Sequence, residues 1–281
     1  MALSMKGASR LSLVTARTNL DKIVSGLDSP ALDTLSADLF FMVRVLDSSI
    51  ALRRAATDNS RDEASKVALG NQLFNSSTGK ESKALYSEMT SLRWSSPRDL
   101  GDVLEVLSIE VQSISAEKAG DNERLESEIF NFGQIVAANP QLRATFAERV
   151  TGPTAAPKSQ IVKALLTGKA AQSTISLISF LVDHPRGRSV ESALAEYAEI
   201  ISARKERMIA HVVSSTELSD AQVQRLSKAI STMMGKQIRA NISIDPSILG
   251  GLSIRIGDEL LDGSLISRLA QADRLLAGKS A

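Results

Sequence analysis

Two histidines, His184 and His211, are the only imidazoles in this chain of 281 residues, and it has no cysteine. Without a thiol, nucleophilic catalysis falls to a hydroxyl, with one of these histidines as its base. No Gly-x-Ser-x-Gly segment lifts a serine onto a sharp turn. Neither histidine has a second histidine or a glutamate at zinc-ligand spacing, so both read as structural, His184 in a turn and His211 in a strand. Among the Gly-Lys pairs, Gly79-Lys80 and Gly168-Lys169 invite a phosphate-loop reading. Such a loop needs a glycine five residues earlier and a hydroxyl residue next, to cradle phosphates and reach Mg²⁺. Phe74 and Lys163 hold the earlier positions, Glu81 and Ala170 the later ones. Both pairs therefore read as helix-ending glycines followed by solvated lysines. No catalytic residue, metal site or cofactor is expected.

Charge and composition narrow the remaining classes. Lysine plus arginine is 33 against 32 for aspartate plus glutamate, so no global field draws in nucleic acid or anionic lipid. The cluster Arg204-Lys205-Glu206-Arg207 reads as a solvated domain junction, and Trp94 with a few phenylalanines is too sparse a set to stack bases. Hydrophobic residues make up 43% and aromatics 4%, which favours aliphatic helix packing. The apolar runs 39–46 and 175–182 are short and broken by Arg44 or by serines, whereas a membrane span needs roughly twenty apolar residues. Residues 1–10 lack the apolar core of a secretion signal. Membrane association is expected through partners only.

The elements themselves repeat. Residues 1–30 read as one helix carrying Leu13, Leu20, Ile23 and Val24, closed by Gly26 and Pro30. Leu35, Leu39, Met42 and Leu46 then form a helical stripe, repeated ninety positions later by Leu125, Ile129, Phe132 and Val136. Leu52-Arg53 recurs as Leu142-Arg143, and Leu100, Leu104, Leu107 and Val111 recur as Val190, Leu194, Tyr197 and Ile201. Between these anchors Lys66, Leu69 and Leu73 match Lys158, Ile161 and Leu165 at ninety-two, a slip that loop insertions explain. Chance amphipathic spacing yields one such stripe, not two at one offset with shared landmarks. The fold expected is mainly α: helical-bundle copies at 1–115 and 124–205, separated by the polar stretch 116–123, then a small α+β domain at 206–281.

The last domain is expected to run strand, helix, strand, strand, short strand, helix. Residues 208–213 read as its first strand. Ser219 and Gln222 form a capping box, with Leu218 and Val223 as a staple, before a helix buried through Val223, Leu226, Ile230 and Met233. Ile238, Ala240, Ile242 and Ile244 alternate with polar residues, as do Leu252, Ile254 and Ile256. Gly257-Asp258 and Asp262-Gly263 are turn pairs, and Ser264 caps a closing helix with Leu265, Leu269, Ala272 and Leu276 on its apolar face.

The series Gly250-Gly251, Gly257-Asp258, Asp262-Gly263-Ser264 and Arg268-Leu269 closely resembles the C-terminal motif of the delta subunits of F-type ATP synthases, relatives of the mitochondrial oligomycin-sensitivity-conferring protein. Several dipeptides in one order over about thirty residues make a specific signal. The resemblance is to the long, actinobacterial-like form with a duplicated helical domain. It implies a non-catalytic peripheral-stalk subunit of a proton-translocating enzyme, one copy per complex, on the cytoplasmic face of the cell membrane. Its implied partners are the N-terminal helices of alpha subunits, held by a helical bundle, and b-type stalk subunits, met by the C-terminal domain. The motif residues are then structural or interface residues. The extra copy grips either a second alpha helix or the stalk, and both readings stand open. Two other classes compete: a helical regulatory or nucleic-acid adaptor, which requires a basic face, and an enzyme, which requires a nucleophile–base pair or a cofactor.

Overall fold

The computed structural model describes residues 5, 7–74, 77–148, 157–207, 209–234, 238–245, 252–256 and 259–262. By contact it divides into two units, Met1–Ser202 and Ala203–Ala281. Helices make up the described part of the first: α1 (Gly7–Val24), α2 (Ser29–Asp47), α3 (Ile50–Thr57), α4 (Glu63–Phe74), α5 (Lys80–Thr90), α6 (Asp99–Ala119), α7 (Asn122–Ala138), α8 (Pro140–Ala147), α9 (Ser159–Leu166), α10 (Gln172–Asp183) and the start of α11 (Val190–Arg207). Local chemistry sets their ends. Asp28 caps α2 by accepting from the Ala31 N–H at 3.0 Å, and Pro30 sits in the first turn, where a missing N–H costs nothing. Pro30 therefore opens α2 rather than closing the expected first helix. Asn139 caps α8 in the same way, with Pro140 following.

The repeat read from the sequence is a repeat of structure. Helices α2 to α6 recur in order as α7 to α11. Leu35, Leu39, Met42 and Leu46 are buried, as are Leu125, Ile129, Phe132 and Val136. Lys66 and Lys158, matched in the sequence, are both buried too. A shared capping device is more telling. Asp38 of α2 accepts from the Gly79 N–H at 2.6 Å and the Ser82 hydroxyl at 2.7 Å, closing the start of α5. Glu128 of α7, ninety positions on, accepts from the Ala171 N–H at 2.8 Å and the Thr174 hydroxyl at 2.6 Å, closing the start of α10. A carboxylate on the facing helix thus satisfies the orphan donors of a helix start in each copy.

The two copies overlap in one helix. As α1 packs on α5, so α6 packs on α10. The buried positions Leu13, Ala16 and Val24 of α1 correspond, ninety residues on, to buried Val103, Val106 and Ile114 of α6. The Thr18 hydroxyl donates to the Val14 carbonyl at 3.2 Å, and the Ser108 hydroxyl to that of Leu104 at 2.7 Å, at the same offset. Helix α6 is thus both the last helix of the first copy and the first of the second. That double duty explains its burial on every face from Val103 to Ala116, unusual for a helix carrying Glu105, Glu110 and Gln112. The polar stretch expected to separate two bundles is instead the last turn of α6, a Gly120 C-cap at φ 79° and the start of α7. One hydrophobic core runs from Leu13 to Ile201.

The second unit holds a sheet of β1 (Ile209–Ser214), β2 (Arg239–Ile244), β3 (Leu252–Ile256) and β4 (Glu259–Asp262) in the order β2-β1-β3-β4. Strand β1 pairs parallel to β2 and antiparallel to β3, and β3 pairs antiparallel to β4. Helix α12 (Asp220–Met234) makes the crossover that a parallel pair requires. Its capping box forms: Gln222 Oε1 accepts from the Ser219 N–H at 2.9 Å, and Ser219 Oγ from the Gln222 N–H at 3.4 Å. Ala210, Val212, Ile230, Ile238 and Ile256 build the core, whereas Met233 and Ile244, expected inside, are 61% and 53% exposed. Each lies at the end of its element, beyond the reach of so small a core.

Candidate partner-docking surfaces

Between α2 and α10 lies a groove of about 460 Å³, so the two copies supply one wall each. Phe40 stacks on Phe180 at 3.8 Å between centroids, and Phe41 lies under the Arg44 guanidinium at 5.4 Å. Ile175 adds an aliphatic surface, and Lys163 of α9 stands on the rim. The floor is polar: Gln112 of α6 and Ser179 of α10 line it, both buried, and neither Gln112 Oε1 nor Ser179 Oγ has a hydrogen-bond partner among the described residues. An occupant of the groove meets chiefly its aromatic and aliphatic side chains, with Arg44 and Lys163 beside them.

Where α2 ends and α6 begins, a buried ion network ties the copies together. Arg186, in the α10–α11 turn at φ 54°, donates to Asp47 at 2.5 Å, and its guanidinium lies 2.8 Å from Asp102 and 2.7 Å from Glu105. Arg188 joins Glu105 to Glu196, and the Tyr197 hydroxyl donates to Glu105 at 2.8 Å. Gly101 leaves the room: a Cβ there would stand 2.9 Å from Arg186 Nη2. Burial alone would lower the Arg186 pKa, but the three carboxylates outweigh it and raise it. Burial raises Asp102, with Arg186 and Arg98 opposing. Every charge here is spent on another, which is the signature of a structural tie rather than of a reactive group. The sequence treated Pro185-Arg186-Gly187 as turn punctuation. Its overlooked signal was Glu105, a lone acid inside the apolar run 103–107.

The other expected residues are accounted for individually. His184 ends α10 against Phe180, 5.3 Å between ring centroids, and burial, then Arg44, push its pKa down. His211 lies in β1 opposite Asn241 and Arg255. Among the described residues no histidine and carboxylate group could hold a metal ion. Gly168 follows α9 at φ 77° as expected, but Gly79 starts α5 rather than ending α4. Arg204, read as solvated, is 6% exposed. Of the C-terminal motif, Asp262 ends β4, paired with Ser253. Gly250, Gly251, Gly257, Asp258, Gly263, Ser264, Arg268 and Leu269 lie outside the described residues, as does the helix expected at 265–276.

The family model described as ATP synthase delta (OSCP) subunit matches residues 113–276. It starts in the last third of α6 and takes in α7 to α11 and the second unit. The ATP synthase subunit delta of Streptomyces avermitilis is 37% identical over 277 residues, covering 98% of this chain and 100% of that protein. That of Kineococcus radiotolerans is 38% identical over 272 residues, covering 97% and 98%. That of Thermobifida fusca is 37% identical over 274 residues, covering 98% and 100%. The leading copy is therefore shared with these relatives. A chain of the Toxoplasma gondii mitochondrial ATP synthase hexamer matches at TM-score 0.31 and 19% identity, covering 60% of this chain and 94% of that one.

Proposed function

Since the chain belongs to the ATP synthase delta (OSCP) family, we propose that its groove between α2 and α10 holds the amphipathic N-terminal helix of an alpha subunit. The protein is a non-catalytic subunit of the peripheral stalk, and the adaptor and enzyme alternatives fall away with the family assignment. A stalk subunit resists torque through interface area and multiple attachment, and no reactive residue is required. The observation that carries the reading is the groove: aromatic walls and a basic rim suit a helix whose apolar stripe is flanked by acidic side chains.

The second unit, by this proposal, meets the b-type stalk helices. Exposed Met233 and Ile244 support that assignment, because a long amphipathic helix needs apolar surface to settle on. The motif residues Gly250 through Leu269 serve that interface or the turns that shape it. The chain is then held at the cytoplasmic face of the cell membrane through its partners, one copy per complex. No helix among the described residues is long and apolar enough to cross a membrane.

The test is calorimetric titration of the whole chain with a peptide of the alpha-subunit N-terminus, compared with an Ala37→Trp variant. Ala37 is exposed on the groove wall, so a tryptophan there fills the groove without disturbing the core. Binding by the natural chain and its loss from the groove in the variant are expected. Absence of binding by the natural chain overturns the proposal.

A further inference from the structure

We propose that Arg44 of α2 sets the specificity of the groove, selecting a helix that carries an acidic side chain opposite it; this rests on the groove reading above. The family model begins at residue 113, so α2 lies outside the part it matches, and the leading copy supplies this wall. What that wall adds is a held charge. The Arg44 guanidinium lies over the Phe41 ring, 5.4 Å from its centroid, and both residues line the groove. The side chain is exposed, so a guanidinium kept on an aromatic face still offers its N–H donors to a carboxylate.

Among the described residues no carboxylate answers that charge. Asp47, one turn along α2, is committed to Arg186 at 2.5 Å and to Arg53 at 3.3 Å. Asp33, which also lines the groove, accepts from the Ser115 hydroxyl at 2.8 Å. It stands about 16 Å from Arg44 at helical rise. The repeat shows, moreover, that this helix does not need the pair in order to fold. Ninety residues on, α7 carries Asn131 in place of Phe41 and Gln134 in place of Arg44, both exposed. The cation on its aromatic support occurs on the helix that walls the groove.

Arg44 also acts across the end of the groove. His184 packs against Phe180 at 5.3 Å, and after burial Arg44 is the next influence holding its pKa down, with Asp183 and Asp47 opposing. A carboxylate delivered to Arg44 offsets that field. A helix without one covers Arg44 and leaves its charge unmatched, so discrimination comes from the penalty as much as from the bond. Shielding by the docked helix makes this pair stronger than an ordinary surface ion pair.

The experiment is calorimetric titration of the full chain with the alpha-subunit N-terminal peptide and with its amide form, in which every aspartate and glutamate is asparagine or glutamine. The natural chain should prefer the acidic peptide by about tenfold. Arg44→Gln, which copies the residue at 134, should abolish that preference, and Arg44→Glu should prefer a lysine-substituted peptide. With two imidazoles in the chain, proton NMR follows His184 directly. Its pKa should be higher with the acidic peptide bound than with the amide form, and should rise in unliganded Arg44→Gln. Equal affinity of the natural chain for both peptides overturns this inference and leaves the groove reading standing. A preference that survives Arg44→Gln and is lost in Lys163→Gln also overturns it, as does a His184 indifferent to which peptide is bound. No peptide bound by the natural chain overturns both readings.

Discussion

Replacing Arg186 with methionine is the sharpest test of how the two copies are held together. Methionine keeps the length and much of the volume of the side chain and removes its charge. Arg186 is 5% exposed and faces Asp47, Asp102 and Glu105, whose side chains are 29%, 13% and 5% exposed. In the variant Glu105 keeps Arg188 and Tyr197, but Asp102 keeps only the more exposed Arg98 at 3.6 Å. Breaking a buried pair by removing one partner costs about 3–5 kcal/mol, because the remaining charge stays desolvated. For a unit of this size each kcal/mol moves the melting temperature by roughly 2–4 °C, so a fall of roughly 6–20 °C is expected in calorimetry. The pH dependence gives the sign. Asp102 is already raised above its ordinary 3.8 by burial, and losing Arg186 raises it further. Below that raised value the folded state takes up a proton before the unfolded state does, so the penalty is full at neutral pH and shrinks on acidification toward 3.8. A melting temperature unchanged to within a degree, or a penalty that grows on acidification, would refute the network as a structural tie.

The duplicated cap predicts matched costs: Asp38→Ala and Glu128→Ala should each destabilise by about 1–2 kcal/mol in urea unfolding. Burial would raise the Glu128 pKa, but hydrogen bonds from Thr174 and Ala171 outweigh it and hold it below 4.5, so its contribution is present above 4.5 and is lost as pH falls through the lowered value. A fragment of residues 97–207 should unfold cooperatively by circular dichroism, whereas 122–207, lacking α6, should show no cooperative transition. Gly70→Ala would set a Cβ 2.3 Å from Tyr86 Cε1 and should cost about 1–3 kcal/mol by the same urea assay. Burial pushes the Tyr86 hydroxyl up to about 12, so its ultraviolet titration should lie well above that of free tyrosine.

Much of this architecture was legible in the chain because helices write their buried faces at a fixed period. The stripes at 35–46 and 125–136 gave the repeat, and the Ser219–Gln222 box gave the start of α12 to the residue. The overlap at α6 was hidden. A helix buried on all sides has no polar face, so its second role leaves no periodic mark, and Leu13 of α1 matches Val103 without looking like it. The ion network was hard to read for another reason: Arg186 and Asp47 are far apart in sequence and each alone looks like a surface charge, so that only Glu105, inside the apolar run 103–107, stood out. The groove shares its aliphatic and aromatic residues with the core, and only burial distinguishes Phe41, on the groove wall, from Phe74 beneath it. The C-terminal motif told the family but not its own geometry.

The central claim, a stalk subunit that holds without reacting, is tested most directly by reconstitution. ATP synthase stripped of this subunit is placed in vesicles, and ATP hydrolysis and ATP-driven proton pumping are measured together. Without the subunit, hydrolysis should continue while pumping is lost, and adding the purified chain should restore pumping while hydrolysing no ATP itself. Pumping that never depended on the chain, or ATP turnover by the chain alone, would contradict the account.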